Sequence, residues 1–238
     1  MHLAPVKSPA HRSSPRAAAL SAAALAVTSL TLLLLVALSW QPLMALDDGT
    51  TRTMQRWAVG HRGTTHAFRI LTDWVWGPAT MRILCAAAVL WLLWRRRAWQ
   101  LALWVAMACA LGALVQNSLK ALVGRARPVW PDPVDSAHGS AFPSGHAMTA
   151  TVVCGLLLWI LHRCGARGVP WHTAWAAAVV SVVGVGLTRV WLGVHWPSDV
   201  AGGWLLGALL VVIAVASYER WGAYEEDPEE PVPRTGRA

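Results

Sequence analysis

Residues 142–162 read "FPSGHAMTATVVCGLLLWILH". A proline, a serine, a glycine and a histidine stand at the head of a run in which nothing from Ala147 to Leu161 is charged. A helix that is apolar all round must be buried, in a protein core or in lipid. Its polar mouth is the anomaly. A serine suits a helix start, because its hydroxyl can accept from a first-turn amide. A cap does not need the histidine.

Outward from this segment, apolar runs of similar length recur, and six spans are expected near 17–39, 76–94, 98–120, 145–162, 171–188 and 198–217. Each is long enough to cross a hydrocarbon core of about 30 Å. Of the 238 residues 55% are hydrophobic and 13% charged, whereas a soluble domain carries about 25% charged residues. The expected architecture is all-α, an integral membrane six-helix bundle over 17–217. A basic head (1–16) precedes it and an acidic, proline-rich tail (218–238) follows, the tail read as disordered.

The first run follows Lys7, Arg12 and Arg16, so a signal peptide is the rival reading. A signal core spans about 7–15 apolar residues; this run is longer, and a retained helix is expected. The basic turns Arg95–Arg97 and Arg163/Arg167 place those loops, and both termini, in the cytoplasm. Residues 41–75 then face outward, with Met54, Trp57 and Ala58 able to share one face of an interfacial helix.

The net charge of +8 does not point to nucleic acid. The basic residues cluster at the ends of apolar runs, where anionic lipid or a phosphate ligand is the natural partner. Tryptophans near span ends, such as Trp40, Trp94, Trp171 and Trp196, suit the headgroup level. Cys85, Cys109, Cys154 and Cys164 have no metal-ligand spacing and read as packing residues.

Three polar clusters fall at the same, outward ends of the spans. "KALVGRARP" closes the third with Lys120 and Arg127; "PSGH" opens the fourth; "TRVWLGVHWPSD" joins the fifth and sixth through Arg189, His195 and Asp199. Each has a plain reading: a snorkelling lysine, a serine cap, one interfacial histidine among nine, an aspartate at a helix start. Together they describe a phosphoryl-transfer site. Lys120, Arg127 and Arg189 can neutralise a phosphoryl group in its transition state. Ser144 and the amides of Gly145 and His146 make an anion site at a helix start, and Gly145 lacks a side chain that would block approach. Asp199, four residues after His195, can hold the Nδ1 proton and leave Nε2 to attack. His146 then protonates the leaving alkoxide and later activates water. Without a carboxylate cluster, neither metal nor other cofactor is expected.

These residues resemble the signature of the type 2 phosphatidic acid phosphatase/haloperoxidase superfamily: Lys-x6-Arg-Pro, Pro-Ser-Gly-His and Ser-Arg-x5-His-x3-Asp. The first two blocks are complete, at Lys120–Pro128 and Pro143–His146; the third has Thr188 in place of serine. The resemblance implies a membrane phosphatase with an extracytoplasmic site. Phosphate would be held by Lys120, Arg127, Ser144, Gly145 and Arg189, with His146 as acid/base and His195 as nucleophile supported by Asp199. Its implied partners are the bilayer and a lipid phosphate such as undecaprenyl diphosphate, phosphatidylglycerol phosphate or phosphatidic acid. Alternatives are phosphoryl transfer to a lipid acceptor, a vanadate-dependent haloperoxidase, which six apolar spans argue against, and a non-catalytic transporter or scaffold.

Overall fold

The computed structural model describes residues 15–225, and among them every regular element is helical. The elements are α1 (Pro15–Ala37), α2 (Gln41–Gly60), α3 (Arg62–Ile70), one π-helical turn (Leu71–Val75), α4 (Pro78–Trp94), α5 (Trp99–Val123), α6 (Gly145–Arg163), α7 (Gly168–Trp191) and α8 (Pro197–Glu225). Six stretches are long and apolar enough to cross a membrane: α1, α3 through α4, α5, α6, α7 and α8. The expected membrane bundle is therefore present. Leucines and valines on its outside, among them Leu30, Leu111, Val180 and Leu187, are exposed, as lipid-facing side chains must be.

One boundary differs from expectation, the end of the last span. The second span is found as α4, at the end of a helical run that begins at Arg62. The π turn and Pro78, which has no N–H to continue the ladder and suits a helix start, divide it into α3 and α4. The last helix does not stop at 217. It continues to Glu225, because Tyr218 is an anchor and not the start of a solvated tail. Its ring lies 5.8 Å from that of Trp104 and 5.2 Å from that of Trp159, with the Arg163 guanidinium 5.0 Å above it. Residues 226–238, and the head with Lys7 and Arg12, lie outside the described residues. The interfacial segment folds as α2 and α3, with Ala58 buried, Met54 half-buried and Trp57 exposed.

α6 is the central helix. Half of its membrane-length window is buried, against a third or less for the others. Leu92 of α4, Leu101 and Val105 of α5, and Val153, Leu156 and Ile160 of α6 form the main apolar core. α8 packs on the other side of α6. The chain alternates direction from span to span, so the C-terminal ends of α5 and α7 and the N-terminal ends of α4, α6 and α8 share one end of the bundle.

At that end α6 and α8 touch backbone to backbone. A Cβ on Gly203 would lie 2.7 Å from the Ser144 carbonyl oxygen and 3.0 Å from the Met148 amide nitrogen. Neither neighbour is a flexible side chain that can swing away, so a small residue is required, as at other close helix crossings in lipid. Gly203→Ala is expected to cost about 1–3 kcal/mol by overpacking. Thermal unfolding in detergent should show a lowered Tm, with Gly203→Val lower again; an unchanged Tm for both would show that the helices can separate freely.

Candidate active site

The site is assembled at the shared end of the bundle from four pieces of chain. α5 ends where Gly124 adopts a left-handed conformation (φ 59°) and its amide returns to the Lys120 carbonyl, a glycine helix stop. This leaves Lys120 in the last turn and sends Arg125 and Arg127 into the following loop. α6 starts at Gly145, α7 ends with Arg189 in its last turn, and α8 starts at Pro197 with Asp199 in its first. His195 lies in the short link between α7 and α8. All eight expected site residues converge: Lys120, Arg127, Arg189 and His195 lie within electrostatic reach of His146, and Lys120 senses Asp199.

His195 is the most constrained of them. It is buried; its Nδ1 is 3.3 Å from Asp199 Oδ2, and its Nε2 is 3.1 Å from Arg127 Nη1. A guanidinium can only donate. Nε2 is therefore the acceptor, and the proton sits on Nδ1, facing the carboxylate. Burial, with Arg127, Arg189 and Lys120 nearby, pushes His195 well below the ordinary histidine range. The ring is neutral at neutral pH, with its Nε2 lone pair turned toward the cations. Asp199 Oδ2 also accepts from the Trp196 amide at 2.9 Å, which fixes the carboxylate against the ring.

The three cations are held apart by the loop that follows α5. Lys120 Nζ donates to the Ser140 carbonyl at 2.7 Å. Arg127 donates to the carbonyls of Val194 (2.7 Å), Gly139 (2.9 Å), His138 (3.2 Å) and Ser140 (3.4 Å). Arg189 is buried, with Nη1 at 3.6 Å from Asp135 and 4.0 Å from Asp73, and its Nε has no hydrogen-bond partner. Burial lowers the Arg127 pKa while Asp199 counteracts it; a guanidinium stays charged regardless.

One expectation is corrected here, the side-chain cap of α6. Ser144 occupies the cap position of α6, but its side chain makes no capping bond. The hydroxyl is buried and has no partner at all, while its amide donates to the Asp199 carbonyl at 2.9 Å. An orphaned buried hydroxyl costs about 1–3 kcal/mol, a cost a bound anion would relieve. Gly145, in turn, faces a protein neighbour: a Cβ there would lie 2.8 Å from Gln116 Nε2. Its small size makes room for Gln116, one turn before Lys120 on α5. Thr188, the one departure from the signature, bonds back to the Val185 carbonyl at 2.8 Å and so acts within its own helix.

The PAP2 superfamily model matches residues 101–223, just over half of the chain, and that range contains all eight expected site residues. The chain belongs to the PAP2 superfamily. Its fold is similar to a crystal structure of a transmembrane PAP2-type phosphatidylglycerolphosphate phosphatase from Bacillus subtilis, with a TM-score of 0.66 at 23% identity, covering 82% of this chain and 96% of that one. Curated relatives include phosphatidylglycerophosphatase B of Bacillus subtilis, 34% identical over 41% of this chain and 48% of its own length. An undecaprenyl-diphosphatase of Sulfolobus acidocaldarius is 34% identical over 36% and 35%. A decaprenylphosphoryl-5-phosphoribose phosphatase of Mycobacterium tuberculosis is 38% identical over 50% and 60%. The chain thus spans between about a third and three fifths of these relatives' lengths.

Beyond the PAP2 signature the structure adds Gln116, Asp135, Arg125 and Asp47. Arg125 hid inside "GRARP" as one more basic residue, and Asp47 lies in the segment read as interfacial. The Gln116 contact yields a compensation test. Gly145→Ala should lower Tm in detergent, and Gln116→Ala in the same chain should restore most of the loss. If the double variant is no more stable than Gly145→Ala, Gln116 is not what requires the glycine.

Proposed function

We propose that this PAP2 protein is a membrane lipid phosphatase that cleaves a phosphomonoester or diphosphate of a lipid through a phosphohistidine on His195. The observation that carries the reading is the neutral His195, its Nδ1 proton held by Asp199 and its Nε2 lone pair directed into a cluster of three cations. A phosphoryl group bound there would take over donors of Lys120, Arg127 and Arg189, together with the Ser144 hydroxyl and the first amides of α6.

In the first step Nε2 attacks phosphorus and the bond to the leaving oxygen breaks, with His146 donating a proton to that oxygen. His146, now neutral, takes a proton from water as the water oxygen attacks the phosphohistidine, and the P–N bond breaks to release phosphate. The imidazolium character that His195 gains on attack is balanced by Asp199. The relatives named for phosphatidylglycerophosphate and undecaprenyl diphosphate support a lipid as substrate. So does a cavity of about 400 Å³ between α4, α5 and α6, lined by Val89, Ala106, Gly112, Gln116, Met148 and Val152. It begins one helical turn from Lys120 and is mostly apolar, with Arg82, Gln116 and Thr149 as its polar lining, which suits a hydrocarbon chain whose headgroup reaches the cations.

The site faces the extracytoplasmic side in this reading. The support is charge: Arg95, Arg96, Arg97, Arg163 and Arg167 fill the turns at the opposite end of the bundle. Cysteine scanning with a membrane-impermeant thiol reagent, using Ser136→Cys and Gly165→Cys, tests it in intact cells. Labelling of the first from outside and not the second is expected; the reverse would invert the topology.

The decisive experiment is phosphate release by detergent-purified protein from phosphatidylglycerol phosphate, undecaprenyl diphosphate and phosphatidic acid, with chelator present. Activity that survives chelation and falls by roughly three orders of magnitude or more in His195→Ala is expected. Release unaffected by the mutation would eliminate His195 as nucleophile, and loss on chelation would point to a metal. The pH profile supplies a further check. A pKa lowered in the folded protein keeps His195 neutral, hence nucleophilic, as pH falls past its ordinary value of about 6.5. The acid limb of kcat/KM, which reports the free enzyme, should therefore contain no His195 ionisation at or above pH 6.5. A limb near 6.5 that disappears in Asp199→Asn would contradict the assignment.

A further inference from the structure

The catalytic aspartate is itself clamped. Asp199 Oδ1 lies 2.7 Å from Arg125 Nη1, on the side of the carboxylate away from His195. The other nitrogen of the same guanidinium, Nη2, lies 2.7 Å from Asp47 Oδ2. Asp47 also accepts from the Ser198 hydroxyl, and its Oδ1 accepts from the Ser198 amide at 2.9 Å. Both carboxylates are wholly buried and Arg125 nearly so. The indole of Trp196 covers the guanidinium at 5.6 Å. A continuous line of contacts therefore runs from α2 through Arg125 to Asp199 and the His195 ring.

We propose that Arg125, held by Asp47, is a positioning residue for the nucleophile: it fixes and charge-balances Asp199, which in turn holds the Nδ1–H tautomer of His195. This rests on the phosphohistidine reading above. Two features separate Arg125 from the phosphate-binding cations. Its donors are already committed, Nη1 to Ser198 Oγ and Asp199, Nη2 to Asp47 and Met44 Sδ. Arg127, two residues on, instead meets only neutral carbonyls and His195 Nε2, donors that a phosphate can claim. The reason for an arginine is geometric. A planar fork can reach two carboxylates on different elements at once and still stack under an indole, which an ammonium cannot do equally well. Without it, two buried carboxylates would stand against each other with no cation between them, an arrangement that low-dielectric surroundings penalise heavily.

The inference also gives α2 a role. That helix is too polar to be one of the six spans, yet Asp47 is buried at the start of α8. Gln55, two turns on, donates to the Asp132 carbonyl at 2.9 Å. α2 therefore braces the catalytic end of the bundle from the side, and the Asp47–Arg125 contact is where that brace meets the chemistry.

The test compares Arg125→Met, Arg125→Lys and Asp47→Asn with the parent chain, each also made in an Asp199→Asn background. Arg125→Met should lower kcat by about 10–100-fold, the scale on which outer partners that orient an imidazole act, with KM changed by less than about threefold. Arg125→Lys should fall between, and Asp47→Asn should follow the same direction. In the Asp199→Asn background the further loss from Arg125→Met should nearly vanish, because both act through one contact. Full additivity, or a raised KM with kcat unchanged, would overturn the proposal; the second result would make Arg125 a phosphate ligand.

A second readout does not need turnover. In 15N-histidine-labelled protein in micelles, the His195 signal, identified by its loss in His195→Ala, should report the Nδ1–H tautomer. In Arg125→Lys and Asp47→Asn it should shift toward a tautomer mixture. An unchanged tautomer in both folded variants would refute the clamp even if no lipid substrate were turned over. Inactivity of the parent chain on all three lipids would instead count against the hydrolase reading.

Discussion

Three cations that must stand together at one end of a membrane bundle repel one another, and much of the catalytic end is built around that repulsion. Two unit charges 4 Å apart cost about 4 kcal/mol at an effective dielectric of 20. The loop between α5 and α6 answers this with oxygens: Asp135 faces Arg189, Ser140 faces both Lys120 and Arg127, and His138 and Gly139 face Arg127. Four residues within the six from 135 to 140 thus supply acceptors to all three cations. Most of these acceptors are neutral carbonyls, strong enough to fix a side chain and weak enough to yield to a dianion. The loop keeps the cations ordered and charged without cancelling them.

The same logic explains why the two histidines differ. His195 is enclosed, its two nitrogens assigned by a donor-only arginine on one side and a carboxylate on the other. His146 is less buried, in the first turn of α6. That difference suits the proposed roles: a nucleophile needs a fixed lone pair, and a group that gives a proton to one oxygen and later takes one from water needs freedom to serve both.

Much of this was legible in the sequence because membrane constraints are blunt. Long uncharged runs have few alternatives to spanning helices, and charged residues clustered at one set of span ends have few alternatives to a site. Hence the six spans and the convergence of Lys120, Arg127, Ser144, His146, Arg189, His195 and Asp199 could be read in advance. What could not be read depends on pairs far apart in the chain. Arg125 and Asp47 are 78 residues apart, and neither carries a signal that names the other. The Gly145–Gln116 fit requires knowing how α5 and α6 approach. The missing cap at Ser144 is a matter of one rotamer. The end of α8 was misjudged for a related reason: "YERW" looks like the start of a polar tail until Trp104 and Trp159 are seen waiting for Tyr218.

The placement of the two histidines depends least on the side chains that make the motif recognisable. α6 and α8 both begin at the catalytic end, so the positive ends of two helix dipoles meet there. They are joined at that point by main chain, the Ser144 amide on the Asp199 carbonyl at 2.9 Å, with Gly203 small enough to let the Ser144 carbonyl come close. His146 lies two residues beyond Ser144, and His195 four before Asp199. The spacing between the two histidines is therefore set by a backbone bond and a glycine. A motif residue can be exchanged without moving that frame, whereas a methyl group at Gly203 would press on the Ser144 carbonyl and the Met148 amide that flank His146. In this bundle, the packing of α6 on α8 and the placement of the two histidines rest on the same few atoms.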